Sequence, residues 1–402
     1  MKIGFFTDTY FPQTSGVASS IQTLREELTK AGHQVFIFTT TDPKVKEDQA
    51  EEGIFRYESI PFLFFKERRV AVTTLRPIYK KAKELDLDII HTHTEFTMGI
   101  FGVMVAHRLR LPIVHTYHTW YENYLHYILN GHLVPKAAVK SYTRYFCQLA
   151  NTVIAPSQMI RQVLQEYGVE RPIEVIPSGV RFSKQLAETD RQQLKDELGL
   201  EDDQLVLITV NRIAQEKNLD SLIQQMAKLL ELIPQARLLI VGDGPEKDHL
   251  MALSQELKIN HAVIFTGMVP HEEINGYYQI ADIYVNLSVT ETQGITFIEA
   301  IGNHLPIVAM KNDYLLNLNR TAPIGKLLDQ VDQFSQAVLT LAESTSENCQ
   351  AFKHLEQEIS AQTFYERVHA LYTSLIRKQE SQMEDDDTSF FEKISENIWP
   401  FQ

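Results

Sequence analysis

The feature that most constrains this chain is an alternation of short apolar runs and amphipathic stretches, which extends from the N-terminus to about residue 375. Residues 2–7 form an apolar run that ends in polar residues. Residues 19–32 then place Ile21, Leu24 and Leu28 on one helical face before Gly32 stops the pattern. Strands separated by helices are typical of βαβ units, which build parallel sheets. The pattern therefore predicts an α/β fold.

The alternation restarts after residue 179, which indicates a second sheet. Strand-like runs recur at residues 205–211, 236–241 and 283–287, and a helical stretch follows the first of them. We predict two Rossmann-like domains that face each other across a cleft, with a hinge near residues 177–188. The predicted divisions are residues 1–180, residues 181–375, and an acidic linker with an aromatic tail over residues 376–402. Because ligands bind such sheets at the carboxyl ends of the strands, we expect the active site in this cleft.

Charge and cysteine usage exclude several classes of protein. The 402 residues carry a net charge of −14, of which residues 1–180 contribute +2 and the remainder −16. This balance argues against nucleic-acid binding, which needs phosphate-neutralising Lys and Arg. Two cysteines, Cys147 and Cys349, exclude a disulfide scaffold. No signal peptide and no membrane-spanning apolar run is recognisable, so we expect a cytoplasmic protein.

A pair of carboxylates flanks a glycine between a strand and a helix. Glu291 precedes Gly294 and Glu299 follows it, in the run Glu-Thr-Gln-Gly-Ile-Thr-Phe-Ile-Glu. The glycine lets backbone N–H groups approach a ligand, and the helix N-terminus favours anions such as a diphosphate. The first carboxylate can accept hydrogen bonds from sugar hydroxyls and the second from a ribose. The plainer alternative is a helix with acidic residues in its first turns, which its dipole favours.

Two basic residues follow the predicted strand at residues 205–211. Arg212 and Lys217 are five positions apart in a polar segment. Both can reach one phosphate group and neutralise a departing diphosphate. A solvated basic loop is the alternative.

Two further positions fall at strand ends in the first half. Gly16 lies in the polar loop after the first strand, where a backbone could approach a phosphate, although ordinary turn chemistry also explains a single glycine. His118 ends another strand, where it could bind a sugar hydroxyl or position an acceptor. His91 and His93 precede it without a metal-ligand spacing, so we predict no metal site.

Basic and aromatic residues cluster in the first half of this acidic chain. Residues 60–83 carry a net charge of +6, and a second basic helix follows near residue 140. This combination favours an anionic membrane surface as a partner, with a solvated basic helix over buried phenylalanines as the alternative. The predicted membrane-facing residues are Phe62, Phe64, Phe65, Lys66, Arg68, Arg69, Lys136, Lys140 and Arg144.

In their order along the chain, these motifs resemble the retaining glycosyltransferases of family 4, which have the GT-B fold. The resemblance covers about residues 1–375. It rests on Gly16, Tyr117-His118, Ala155-Pro156-Ser157, Ile176-Pro177-Ser178-Gly179-Val180, Arg212 with Lys217, Val241-Gly242-Asp243-Gly244-Pro245, Phe265-Thr266-Gly267 and the pair Glu291 with Glu299. Within the family, the chain is most similar to the bacterial diacylglycerol glucosyltransferases.

The resemblance implies a UDP-sugar-dependent hexosyltransferase (EC 2.4.1) that moves glucose from UDP-glucose to 1,2-diacylglycerol with retention. The product would be α-monoglucosyldiacylglycerol, made at the inner face of the cell membrane. No tightly bound cofactor is implied, and Mg²⁺ is expected at most to stimulate. The implied catalytic residues are His118, Arg212, Lys217 and Glu291, and the implied substrate-binding residues are Gly16, Gly294, Ile295, Thr296 and Glu299.

One departure from the family pattern bears on the donor site. His304 stands where the family usually has a glycine, shortly after Glu299. It leaves the affinity for the donor and the choice of donor open. Two alternatives to a lipid-acceptor enzyme also stay open, and His304 supports only the second of them. One is a transferase of the same fold that acts on a soluble or already glycosylated acceptor. The other is a catalytically weak homologue that serves as a scaffold.

Overall fold

The computed structural model describes residues 1–398 except residues 14, 46–51, 63–68, 123–134, 183–184, 271 and 344–347. The side chains of residues 348–351, 353–354 and 383–398 are likewise outside the description. Within the described residues, no helix combines the length and the apolar character needed to cross a bilayer.

The first half of the chain builds a seven-stranded parallel sheet in the order β3-β2-β1-β6-β7-β8-β9. Its strands are β1 (Lys2–Phe6), β2 (Gln34–Thr40), β3 (Ile54–Tyr57), β6 (Ile89–Thr92), β7 (Ile113–Thr116), β8 (Thr152–Ala155) and β9 (Ile173–Val175). Its helices are α1 (Gly16–Lys30), α2 (Leu75–Leu85), α3 (Thr97–Leu109), α4 (Lys136–Gln148) and α5 (Gln158–Glu166). A separate antiparallel hairpin consists of β4 (Ser59–Pro61) and β5 (Arg69–Ala71).

The second half builds a six-stranded parallel sheet in the order β12-β11-β10-β13-β14-β15. Its strands are β10 (Leu205–Val210), β11 (Ala236–Val241), β12 (Val263–Gly267), β13 (Ile283–Asn286), β14 (Ile307–Met310) and β15 (Gly325–Leu328). The helices are α6 (Glu188–Glu197), α7 (Leu219–Leu230), α8 (Lys247–Glu256), α9 (Ile274–Gln279), α10 (Ile295–Gly302), α11 (Asp313–Thr321), α12 (Phe334–Glu343), α13 (Asn348–Ile359) and α14 (Ala361–Ile398). Short 3₁₀ turns cover Gln215–Lys217 and Val331–Gln333.

Apolar side chains cover both faces of each sheet, as expected for parallel strands packed between helices. The first sheet has one core around Phe6 and Val105 and another around Ile21 and Ile89. The second sheet is enclosed in the same way by two further clusters. The predicted α/β fold with two parallel sheets is therefore confirmed.

Two segments connect the halves, and they are hydrogen-bonded to each other. The amide of Val180 donates to the Ile359 carbonyl at 2.8 Å, and the amide of Ala361 donates to the Val180 carbonyl at 2.8 Å. A Cβ on Gly179 would lie 2.3 Å from the Ser360 carbonyl oxygen. Only a glycine lets the two segments approach this closely.

The end of the chain differs from the sequence-based expectation. The first turns of α14 return to the first sheet, where Phe364, Val368 and Tyr372 pack in the same core as Ile21. The stretch 384–387, expected to be a linker, continues the backbone of α14. Hydrophobic periodicity predicts that the start of α14 has a buried face, but it does not identify which of the two sheets covers that face.

Candidate active site

The predicted site motifs follow strands in the middle of each sheet. In the first sheet β1 pairs with both β2 and β6, and in the second β10 pairs with both β11 and β13. Strand order reverses at these two points, and a crevice forms there beyond the carboxyl ends of the strands. Gly16 lies beyond β1, Arg212 and Lys217 lie beyond β10, and Glu291 lies beyond β13. The topology therefore brings the predicted motifs to the two crevices.

The segment after β10 presents Arg212 and Lys217 through a tight 3₁₀ turn. Asn218 ends this turn in the left-handed conformation, with φ of 53°, and its side-chain amide donates to the Leu287 carbonyl at 3.1 Å. Lys217 Nζ lies 2.6 Å from Glu291 Oε1, and Arg212 lies 3.6 Å from the buried carboxylate of Glu216. The structure thus joins Lys217 and Glu291, which the sequence placed 74 positions apart.

The segment after β13 turns sharply at Gly294. This residue has φ of 76°, and a Cβ there would lie 2.4 Å from the Phe297 ring. A side chain is therefore excluded both by backbone conformation and by packing. The turn sets Ile295 and Thr296 at the start of α10, where backbone N–H groups have no partner within the helix. Such a terminus is suited to a phosphate or another anion.

Glu299 lies one turn into α10 and is half-buried. The hydroxyl of the buried Tyr278 donates to Glu299 Oε2 at 2.9 Å. Burial raises the pKa of Glu299 to about 7, although the Tyr278 hydrogen bond opposes that shift. Tyr284 supports the same turn because its hydroxyl donates to Thr296 Oγ1 at 2.7 Å. Sequence reasoning missed Tyr278, because an aromatic residue in a short helix is typical of a core position.

Gly16 and His118 bring the first half of the chain to the same place. Among the described residues, a Cβ on Gly16 would meet only Ile295 Cδ1, at 3.9 Å, so Gly16 faces the start of α10. The Thr292 hydroxyl donates to the His118 carbonyl at 3.1 Å, which places His118 beside the segment that carries Glu291. The predicted site residues of both halves therefore meet around residues 291–296.

Further contacts join the two halves at this segment. Ser157 Oγ donates to the Thr292 carbonyl at 2.7 Å. The side-chain amide of Gln293 pairs with the backbone of Ser178, accepting from its N–H and donating to its carbonyl, both at 2.9 Å. The motifs around Ser157 and Ser178 were visible in the sequence, but their partners were not.

Asp8 holds the segment that leads to Gly16. Its carboxylate accepts hydrogen bonds from Thr94, Thr97 and the Met98 amide, at the N-terminus of α3. Burial raises the pKa of Asp8, and these hydrogen bonds oppose that shift.

Within the described residues, no group of three or more His, Cys, Asp or Glu side chains is arranged to hold a metal ion.

The predicted membrane-facing residues have mixed surroundings. Arg69 donates to the Ser59 hydroxyl at 2.8 Å and to its carbonyl, so it ties the β4–β5 hairpin together. Lys140 lies 3.4 Å from Glu122, and Arg144 lies 4.0 Å from Glu170. The ring centroids of Phe62 and Phe96 are 6.3 Å apart. Lys136 is exposed. The other four predicted residues lie outside the described residues, namely Phe64, Phe65, Lys66 and Arg68.

A feature that the sequence reading missed is an exposed apolar stripe along α3. Ile100 and Met104 are four residues apart in α3, so they lie on one helical face, and Phe96 directly precedes the helix; all three are exposed. Ile60 and Val72 of the adjacent hairpin are also exposed. A hydrophobic pattern with period four in the sequence would have identified this face, but not its exposure.

Comparisons with known proteins agree with this fold. The model of "Glycosyltransferase Family 4" matches residues 14–184, and that of "Glycosyl transferases group 1" matches residues 190–356. Alpha-monoglucosyldiacylglycerol synthase of Streptococcus pneumoniae is 40% identical over 381 residues, covering 94% of this chain and 86% of that protein. The Acholeplasma laidlawii protein of the same name is 31% identical over 409 residues, covering 95% and 99%.

Solved structures share the fold at lower identity. Anabaena Alr3699/HepE in complex with UDP-glucose superposes with a TM-score of 0.73 at 19% identity, covering 93% of this chain and 100% of that chain. WaaG, a glycosyltransferase involved in lipopolysaccharide biosynthesis, superposes with a TM-score of 0.61 at 15% identity, covering 94% and 98%. The chain has two parallel sheets and near full-length relatives at 31–40% identity. It therefore belongs to glycosyltransferase family 4 and has the GT-B fold.

Proposed function

We propose that this protein transfers glucose from UDP-glucose to the free hydroxyl of 1,2-diacylglycerol, with retention of the α configuration. The observation that carries the donor half is that Lys217 pairs with Glu291 just before α10, while Gly16 faces the start of that helix. Arg212 lies on the same segment as Lys217 and pairs with Glu216. The acceptor half is supported by the two relatives, both named alpha-monoglucosyldiacylglycerol synthase.

The proposed roles follow from the chemistry at each position. Arg212 and Lys217 hold the diphosphate and neutralise the charge that develops as it leaves. The amides of Ile295 and Thr296 add hydrogen-bond donors, and Gly16 allows the diphosphate to approach from the other half. Glu291 accepts hydrogen bonds from hexose hydroxyls, and Glu299 accepts them from the ribose.

In the proposed reaction, the bond between the sugar C1 and the diphosphate oxygen breaks as the acceptor oxygen bonds to C1 on the same face. The acceptor proton passes to the departing diphosphate oxygen, so the protein supplies no covalent nucleophile. His118 positions a hydroxyl of the sugar or of the acceptor. Tightly bound cofactors have no role in this scheme, and Mg²⁺ at most stimulates.

Incubation with diacylglycerol liposomes and labelled nucleotide sugars tests this function. Lipid chromatography should show one labelled product with UDP-glucose, and NMR of the anomeric proton should show the α configuration. The Lys217→Met variant serves as the control for label that does not come from enzymatic transfer. Its turnover should fall about 10²-fold while it keeps its fold. Label in a soluble sugar or in an already glycosylated lipid would refute the acceptor, and no transfer to any acceptor would favour a scaffold role.

We further propose that the first half docks on the anionic inner surface of the membrane. The stripe of Phe96, Ile100 and Met104 supplies apolar area, and Lys136 at the start of α4 is an exposed basic residue of the same half. Aromatic and aliphatic side chains bind the interfacial region independently of salt, whereas each basic residue near an anionic surface contributes about 1 kcal/mol that salt screens. The second half, which is strongly acidic, should be repelled by the same surface.

Co-sedimentation with phosphatidylglycerol vesicles over a salt series tests this docking. Reversal of Lys66, Arg68 and Lys136 to Glu should release the protein, whereas Arg69 is left unchanged because it ties the hairpin. The matched control reverses three exposed charges of the second half, which are Lys228, Arg320 and Lys326. Equal binding by both triple variants, or equal binding to neutral vesicles, would contradict the proposal.

A further inference from the structure

Four histidine side chains lie together at the carboxyl ends of β6 and β7. His91 hydrogen-bonds Tyr372 and Thr116, and His115 hydrogen-bonds Thr92 and Glu95. Both nitrogens of each of these two rings thus have partners. The remaining pair, His93 and His118, differs from them.

His93 lies beneath His118 and is only 3% exposed. Its Nδ1 is 3.1 Å from His118 Nε2, so one of these nitrogens donates to the other. His93 Nε2 is buried and has no protein partner within the described part of the chain. The rings of Phe5 and His91 pack against it, with centroids 4.8 Å and 3.9 Å away. His118 is half-buried, and its ring makes this one hydrogen bond among the described residues.

Both rings of the pair are neutral near pH 7. Burial lowers the pKa of His118 to about 3 and holds the pKa of His93 well below its usual range, with the neighbouring histidines acting in the same direction. A neutral imidazole carries one proton, so each ring has one donor and one acceptor nitrogen. The hydrogen bond between the rings therefore links their two tautomers.

Two arrangements are possible, and they differ in what is left buried. If His118 Nε2 donates, His93 carries its proton on Nε2, where the N–H has no protein acceptor. If His93 Nδ1 donates, His93 Nε2 is a bare acceptor, and the remaining N–H lies on Nδ1 of the half-buried His118 ring. Orphaned buried N–H groups are rarer than orphaned acceptors, so the second arrangement is favoured.

We propose that His93 is a positioning residue that keeps the proton of His118 on Nδ1, so that His118 presents a hydrogen-bond donor to the substrate. The acceptor of that hydrogen bond is a hydroxyl oxygen of the sugar or of the lipid. This inference rests on the proposed function for the identity of the ligand, whereas the tautomer of His118 is a property of the protein without substrate.

The tautomer can be observed directly in the wild-type protein. In protein labelled with ¹⁵N-histidine, the signals that disappear in His118→Gln belong to His118. We expect a protonated, pyrrole-type Nδ1 and a bare, pyridine-type Nε2 for this ring. The reverse pattern would overturn the proposal. This measurement needs no activity, so it stands even if the proposed transfer to diacylglycerol fails.

Kinetics then test whether the tautomer matters. His93→Asn keeps an N–H donor near the position of Nδ1, whereas His93→Asp offers only acceptors and His93→Leu offers neither. We expect kcat to fall by about ten- to a hundredfold in the Asp and Leu variants, to recover in Asn, and UDP affinity to stay unchanged in all three. Normal kcat in folded His93→Leu, or no recovery in folded His93→Asn, would refute the positioning role.

Discussion

The ion pair between Lys217 and Glu291 allows a quantitative test of the donor site. Their charged atoms are 2.6 Å apart, and the side chains are only 15% and 12% exposed. A charge-assisted hydrogen bond of this kind contributes about 1.5–3 kcal/mol, whereas an exposed ion pair contributes about 0–1 kcal/mol. Because both groups are largely withdrawn from water, we expect the higher range.

The measurement is a double-mutant cycle with Lys217→Met, Glu291→Gln and the double variant, using denaturant unfolding. We expect a coupling free energy of about 2 kcal/mol. The chain offers a matched control in Lys311 and Asp329, which are also 2.6 Å apart but are 40% and 64% exposed. That pair should couple by less than about 1 kcal/mol. Equal coupling in the two pairs would refute the argument from burial.

Because Lys217 and Glu291 form this ion pair, we expect Glu291→Gln to affect UDP affinity and glucosyl transfer differently. Removing the carboxylate's charge ends the ion pair, so the diphosphate no longer competes with Glu291 for the ammonium group of Lys217. Calorimetry should show UDP binding that is unchanged or up to about tenfold tighter, since 1.4 kcal/mol corresponds to tenfold. Glucosyl transfer should nevertheless fall, because the proposed contact to the hexose is lost. Weaker UDP binding in Glu291→Gln would contradict the assignment of Lys217 to the diphosphate.

Four further predictions concern single positions. Gly16→Ala should leave the unfolding free energy unchanged, since the added methyl group meets Ile295 at the ordinary contact distance of 3.9 Å, while transfer activity falls; equal losses of stability and activity would contradict a ligand contact. UDP affinity should decrease from pH 8 to pH 6 as Glu299, whose pKa burial raises to about 7, takes up a proton, and calorimetry on Glu299→Gln should show weaker binding without this pH dependence. Gly179→Ala should lower the unfolding free energy by about 1–3 kcal/mol, because its Cβ would overlap the Ser360 carbonyl. His304→Gly should change stability by less than about 1 kcal/mol and leave UDP binding unaltered in calorimetry, since the relief of a left-handed side chain with φ of 62° is offset by the flexibility of glycine.

The position of His304 separates this departure from the proposed diphosphate site. It follows the C-terminal end of α10, whereas Gly294 precedes the N-terminal end. The eight residues of α10 separate the two ends by roughly 12 Å. His304 adopts the left-handed backbone conformation that a glycine adopts readily, so the departure alters the end of a helix distant from the proposed diphosphate site.

The sequence alone determined most strands and helices of the two sheets and the edge of each sheet where the candidate site lies. Apolar runs with polar ends specify parallel strands, and the glycines and polar residues after them specify turns. Because parallel strands all end on one side, motifs after β1, β10 and β13 must reach the same crevices. The positions of Arg212 and Glu291 at the site follow from local pattern and topology.

The tertiary structure decided which of these side chains are partners. It pairs Lys217 with Glu291 and His93 with His118, ties Arg69 to Ser59, and returns α14 to the first sheet. None of these contacts leaves a periodic signal in the sequence, because periodicity encodes which face of an element is buried and not what buries it. Contacts between distant segments arise only when the sheets and helices pack, and packing is where burial, tautomer and pKa are set.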